Sequence, residues 1–425
     1  MLLRLLYYIG ISCYHIGVHI TAYWSPKARL WVRGRNNQWQ RIADALQPNE
    51  RRVWFHCASL GEFEQGRPVI EALRHEQPEL RIVLTFYSPS GYEIRKNYPH
   101  ADYIFYLPAD EPKAARRWLD LVQPELVVFV KYEFWYFYLA ELKKRQIPTF
   151  LISAVFRAEQ WFFGSLGAWP RKMLSTFSVL FVQDTVSAAL LAQHGFKNSI
   201  IAGDTRVDSV ANMTKHAPEN AAIETFAARK KTIVCGSTWP PDEAILANII
   251  SEPWAKDLKW IIAPHDIQAG HILGIVARFS AQVEADKIIR YSEITAATQL
   301  ETARILVVDN IGLLSGLYRY GWLSYIGGGF GTGIHNTLEP AAWGLPIVFG
   351  PKFKKFEEAK AMIATQAAAT VGDAASLSTV LQGWLPDEQR HKAAEAALHY
   401  ISEQQGSTKI IMQALRQIWQ KTGKG

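Results

Sequence analysis

Short apolar runs alternate with longer amphipathic stretches along most of this chain, and that alternation predicts its architecture. The runs at 53–56, 82–86, 126–130, 149–152 and 179–182 are apolar at nearly consecutive positions, not at every second one. Such strands are buried on both faces, as in a parallel sheet covered by helices. Between them, segments such as 66–74 and 113–121 carry apolar residues at helical spacing. The chain turns polar and Ala-rich around 212–229, with Pro218 inside, which reads as a linker. A second series follows at 232–235, 260–263, 304–308, 323–326, 347–349 and 368–371, and 387–421 is helical in composition. The expectation is an α/β protein with two Rossmann-like domains facing one another across a cleft. The first domain is expected over 36–215, a linker over 216–230, and the second domain with the C-terminal helix over 231–425. A length of 425 residues suits two cores better than one.

Residues 2–24 stand apart. They are apolar almost throughout, and Arg4 is their one charge. The segment reaches the roughly 20 residues needed to cross a bilayer. Ser12, His15, His19 and the interface-seeking Tyr7, Tyr8, Tyr23 and Trp24 suit a helix lying in the membrane surface instead. Lys27, Arg29, Arg33, Arg35 and Arg41 follow and are expected against anionic headgroups. Residues 1–35 are therefore read as a membrane-anchoring helix with a basic juxtamembrane segment. The basic cluster is expected on the cytoplasmic side; a buried helix of the protein body is the alternative.

Composition adds three limits. The net charge of +7 suits an anionic partner, such as a phospholipid, a phosphorylated glycolipid or a nucleotide. No dense basic stripe interleaved with aromatics occurs, so nucleic acid is not expected. Cys13, Cys57 and Cys235 are scattered without C-x-x-C spacing, which excludes a disulfide framework and a thiolate zinc site.

Ligands of parallel sheets bind in the loops that follow the strands. After 53–56 comes Cys57-Ala58-Ser59-Leu60-Gly61-Glu62. Ser59 and Gly61 permit close approach of a substrate, and Glu62 is read either as a helix-capping carboxylate or as a general base for a hydroxyl. Glu133 ends a strongly apolar run, where it either assists at the acceptor or pairs with Lys131 or Arg157 at a helix start. Ser237 and Thr238 precede a helix and form either an anion cradle or a plain cap. His265 is a phosphate contact or a polar loop residue. The most specific run is Gly327-Gly328-Gly329-Phe330-Gly331-Thr332-Gly333-Ile334-His335-Asn336-Thr337-Leu338-Glu339. Five glycines in seven positions suit backbone wrapped around a ligand. His335 suits a phosphate there. Asn336 and Glu339, three apart, share a helical face that suits a ribose. A dehydrogenase fingerprint belongs to the first strand–helix turn of its domain, whereas this loop lies several strands in. No H-E-x-x-H, Walker A or D-x-D flanked for metal binding occurs, so neither metal nor cofactor is expected.

Residues 58–66, Gly203-Asp204-Thr205-Arg206-Val207-Asp208, Gly236-Ser237-Thr238-Trp239 and 335–342 together resemble the 3-deoxy-D-manno-octulosonic acid (Kdo) transferases that modify lipid A. The resemblance implies a GT-B fold and attachment to the inner face of the cytoplasmic membrane. It also implies inverting, metal-independent transfer of Kdo from CMP-Kdo to the 6′-hydroxyl of a lipid A precursor (lipid IVA). It maps the catalytic base onto Glu62, a second acidic position onto Glu133, and nucleotide-binding positions onto Ser237, His335, Asn336 and Glu339. Gly328, Gly329 and Thr238 accompany these as candidate contacts. Many family members carry Pro-Arg-His where this chain has Ala263-Pro264-His265, so His265 or Arg206 is the candidate replacement for the arginine. Two other classes remain in play: a GT-B enzyme using a UDP-sugar, and a non-catalytic nucleotide- or lipid-binding module.

Overall fold

The computed structural model describes residues 2–164 and 167–421. Among them the chain forms two compact units, one of residues Met1–Ser209 with Gln405–Gly425 and one of Val210–Gln404.

The first unit is built on seven parallel strands: β1 (Arg52–Cys57), β2 (Arg81–Phe86), β3 (Tyr103–Tyr106), β4 (Leu126–Val130), β5 (Thr149–Ala154), β6 (Val179–Val182) and β7 (Ser199–Ile201). Their order across the sheet is β3-β2-β1-β4-β5-β6-β7. All six residues of β1 and all five of β4 are buried, as the continuous apolar runs require. Alternation along β1 sends Trp54 to one core, with Trp118, Phe129 and Tyr138. It sends Val53, Phe55 and Cys57 to the other, with Phe63, Val128 and Ile152. The short strands β3 and β7 of this sheet, like β10 of the second, were not among the expected runs.

The second unit repeats the plan with β8 (Thr232–Thr238), β9 (Lys259–Pro264), β10 (Ile288–Arg290), β11 (Ile305–Val307), β12 (Leu323–Ile326), β13 (Ile347–Phe349) and β14 (Ala368–Thr370). The order is β10-β11-β9-β8-β12-β13-β14, again all parallel.

Three features differ from the expectation. The last helix, Ser407–Lys421, was assigned to the second domain but belongs to the first unit. It buries Ile411, Met412 and Leu415 in the core beneath β1, and the Asp208 carboxylate accepts from Gly406 N and Thr408 N at 2.7 and 2.6 Å to cap it. The presumed linker is also structured: the helix Thr205–His216 runs into it, and the helix Ala221–Ala227 lies inside it.

The third difference concerns the N-terminus. Residues Leu2–Thr21 do form a helix, with no buried residue. Among the described residues, no helix is long and apolar enough to cross a membrane. One side packs on the first unit: Tyr7 donates to Asp110 Oδ2 at 2.6 Å and packs against Tyr136, Phe137 and Trp169. The other side exposes Leu2, Leu6, Ile9, Ile16 and Ile20, and Tyr23 and Trp24 are exposed just beyond it. Arg35, expected against headgroups, is turned into the protein instead. Its guanidinium lies 3.8 Å from the Trp31 ring and donates to the carbonyls of Tyr87 and Leu107. Burial lowers its pKa to about 10.

Candidate active site

The strand order turns at β1/β4 in the first sheet and at β8/β12 in the second, where β10 and β11 are also exchanged at the edge. Such a switch point opens a crevice beyond the carboxyl ends of the strands, where parallel sheets bind ligands. Most of the residues singled out by sequence occupy those four exits; His265 follows β9 and Arg206 follows β7. Glu62 and Glu133 follow β1 and β4; Ser237–Thr238 and Gly327–Glu339 end or follow β8 and β12.

In the first unit, Glu62 is half-buried in the first turn of the helix Leu60–Glu76. The Ser59 hydroxyl donates to Glu62 Oε2 instead of capping the helix backbone. Gly61 beside it is exposed. Glu133 is buried in the loop leaving β4, which Lys131 enters with φ of 69°. Its Oε2 lies 3.1 Å from His56 Nε2 and accepts from Trp135 Nε1 at 2.5 Å. The partners expected for it were Lys131 or Arg157; the histidine was missed. The Cys57 thiol at the end of β1 is fully buried. Burial foremost, and then the charges of Glu62, Glu133 and Glu64, push its pKa up. Glu62 and Glu133 thus act on one strand end. Arg206 also belongs to this unit, where the Asp204 carboxylate takes its Nε at 2.9 Å and Nη2 at 2.5 Å.

In the second unit, Ser237 has φ of 54°, a left-handed conformation that is strained for a side-chain-bearing residue. It sits at an irregularity in the pairing of β8 with β9. Neither Ser237 nor Thr238 caps the helix Pro240–Ile250; Trp239 holds that position, and Asp242 Oδ2 accepts from its backbone N–H at 2.9 Å. The same Oδ2 accepts from Gly328 N at 2.9 Å, and Oδ1 accepts from the Tyr325 hydroxyl at 2.9 Å. One buried carboxylate therefore ties the β8 exit to the β12 exit. Glu243 beside it pairs with His271 at 3.0 Å and accepts from Thr238 Oγ1 at 3.2 Å.

Above this brace three rings stack. His265 lies 4.6 Å from Trp239 and 4.5 Å from His335, centroid to centroid, within 27° of parallel. Trp239 Nε1 donates to His335 Nε2 at 3.1 Å. Burial foremost, and then His265, lower the His335 pKa to about 4, so the ring is neutral at pH 7. With Nε2 accepting, the proton sits on Nδ1, which becomes a fixed donor. Asn336 and Glu339 do meet: Asn336 Nδ2 donates to Glu339 Oε1 at 3.0 Å.

The glycines need a correction. A Cβ at Gly327 would lie 2.3 Å from Ser237 O, and one at Gly329 would lie 2.6 Å from Gly350 Cα. At Gly328, φ is 89°. These three serve close packing and turning of the protein's own backbone. Only Gly331 and Thr332 at the tip are exposed. Among the described residues, no group of three or more His, Cys, Asp or Glu side chains could hold a metal.

Asp242, His56 and Trp135 were not singled out by sequence, and Trp239 only as the end of the Gly236–Trp239 motif. His56 and Asp242 left a trace. His56 interrupts a strand buried on both faces, and Asp242 stands three residues beyond the Trp239 cap position.

Residues 33–209 match the family model described as 3-deoxy-D-manno-octulosonic-acid transferase (kdotransferase). The chain is 26% identical over 336 residues to the 3-deoxy-D-manno-octulosonic acid transferase of Aquifex aeolicus, covering 76% of this chain and 83% of that protein. It is 24% identical over 394 residues to the enzyme of the same name from Haemophilus influenzae, covering 89% and 91%. Among solved structures, a putative UDP-N-acetylglucosamine 2-epimerase from Listeria monocytogenes superposes with a TM-score of 0.60 at 12% identity, covering 88% of this chain and 98% of that one. The UDP-GlcNAc 2-epimerase of Neisseria meningitidis gives 0.60 at 14% identity, covering 86% and 100%. At such identities these two likenesses concern the fold alone.

Proposed function

With the chain a relative of the Kdo transferases, and so a glycosyltransferase, we propose that it transfers Kdo from CMP-Kdo to a hydroxyl of a lipid A precursor. In this reading it is a GT-B enzyme, inverting and independent of metal. The observation that carries the reading is the position of the matching motifs: Glu62 and Glu133 leave the strands of one switch point, and Ser237 and His335–Glu339 those of the other.

The second unit takes the nucleotide. The Nδ1–H of His335 and the Ser237 hydroxyl meet the phosphate, and Glu339, held by Asn336, meets the ribose hydroxyls. As the glycosidic bond to phosphate breaks, negative charge grows on CMP, and preorganised donors stabilise it there. In the first unit Glu62 takes the proton of the acceptor hydroxyl while that oxygen attacks the anomeric carbon. Glu133 orients the acceptor. The exposed apolar side of the helix Leu2–Thr21 lies in the cytoplasmic surface of the inner membrane, where the acceptor is presented.

The test is incubation of the full chain with CMP-Kdo and lipid IVA, with the product read by mass spectrometry and UDP-sugars offered in parallel. Glu62→Gln is expected to slow transfer by about 100-fold or more while CMP binding and melting temperature stay unchanged. Turnover near that of the parent removes Glu62 from the role of base. Loss of folding in the variant points to helix capping, and transfer from a UDP-sugar overturns the donor.

A further inference from the structure

We infer that His56 is a positioning residue, holding the Glu133 carboxylate in the one orientation from which it meets the acceptor; the inference rests on the transfer reading above. His56 is fully buried at the end of β1, opposite Thr85 of β2 and Phe129 of β4. An imidazole in that place needs a partner for each ring nitrogen. Both are present. Nδ1 lies 2.9 Å from Thr85 Oγ1, and Nε2 lies 3.1 Å from Glu133 Oε2.

Thr85 makes the arrangement robust. Its oxygen accepts from Trp54 Nε1 at 2.7 Å, and its one proton has two acceptors, Phe55 O at 3.2 Å and His56 Nδ1. A neutral ring accepts that proton at Nδ1; a charged ring donates there, and the hydroxyl turns to Phe55. In either state Nε2 keeps a proton aimed at Glu133. Trp135 Nε1, a donor only, closes the triangle at 2.5 Å from Oε2 and 3.0 Å from His56 Nε2. Two donors on Oε2 fix the acid's rotation and leave Oε1 to receive an acceptor hydroxyl. If burial were the whole need, an apolar side chain of similar volume would fill the site at lower cost.

The experiment compares His56→Leu, His56→Gln and Glu133→Ala, and the His56→Leu/Glu133→Ala double variant, in the full chain. His56→Leu is expected to raise acceptor KM or lower kcat by about tenfold or more, the loss of one hydrogen bond to a charged group, with donor KM unchanged. His56→Gln, which can place an amide N–H at the Nε2 position, is expected to restore most of the rate. In the Glu133→Ala background, which removes the acceptor of the His56 proton, His56→Leu should cost no further activity. Parent-like acceptor kinetics in a folded His56→Leu overturn the inference, as do equal losses in the Gln and Leu variants. If the parent does not transfer Kdo, the function reading fails, and the pairing is judged on thermal melting: additive losses in the double variant would overturn it.

Discussion

Replacing Asp242 separates the two strand exits that it joins, and the size of the effect follows from its partners. In Asp242→Ala, Gly328 N, Trp239 N and the Tyr325 hydroxyl each lose their acceptor. A buried donor left unpaired costs about 1–3 kcal/mol. With three donors, and partial relief where water enters, the second unit should lose about 3–6 kcal/mol, at the upper end for a single substitution. Asp242→Asn makes the opposite case. Its amide oxygen can face the two backbone N–H groups while its NH₂ meets Tyr325, whose hydroxyl turns to accept, so about 1 kcal/mol is expected. The pH dependence carries a sign. Burial raises the Asp242 carboxyl above its ordinary 3.8, against the opposing pull of Gly328, Tyr325 and Trp239. Stability from a raised carboxyl is complete below its unfolded value and is lost as pH rises through the folded one. The deficit of the Asn variant should therefore be largest in acid and narrow toward neutrality. Urea denaturation followed by circular dichroism between pH 4 and 7, with CMP binding by calorimetry, measures both effects. An Ala variant within about 1 kcal/mol of the parent, or an Asn variant as damaged as Ala, refutes the brace.

Two further outcomes follow from the same geometry. The lowered pKa of His335, about 4, means that its stabilising contribution is present above 6.5 and is lost as pH falls toward 4; melting temperature should drop from pH 7 to 5, and His335→Gln should flatten that part of the profile. The apolar outer side of the helix Leu2–Thr21 predicts flotation of the chain with anionic vesicles. Replacing Leu6, Ile9 and Ile16 by Ser should abolish it without changing the melt, and a parent chain that stays unbound would remove the membrane role.

How much of this was legible beforehand depends on whether the signal was local. Continuous apolar runs at 53–56 and 126–130 sufficed to call parallel strands, because a strand buried on both faces admits little else. The short motifs around Glu62 and Asn336 carried the family resemblance that the family and relative matches bear out. Pairing across the chain was out of reach. Nothing near Glu133 names His56, which lies 77 residues away, and nothing near Gly328 names Asp242, 86 residues away. The glycine-rich loop shows the same limit, since sequence records that Cβ atoms are missing but not what stands in their place. At Gly327 and Gly329 that is the chain's own backbone, from β8 and from Gly350. The final helix could be recognised as a helix from its composition, yet only burial of Ile411 and Leu415 against β1 decided which unit it completes. Periodicity and local spacing determine elements. Which distant donors, acceptors and surfaces meet is set by the fold, because an unpaired buried polar group is too costly to leave for chance.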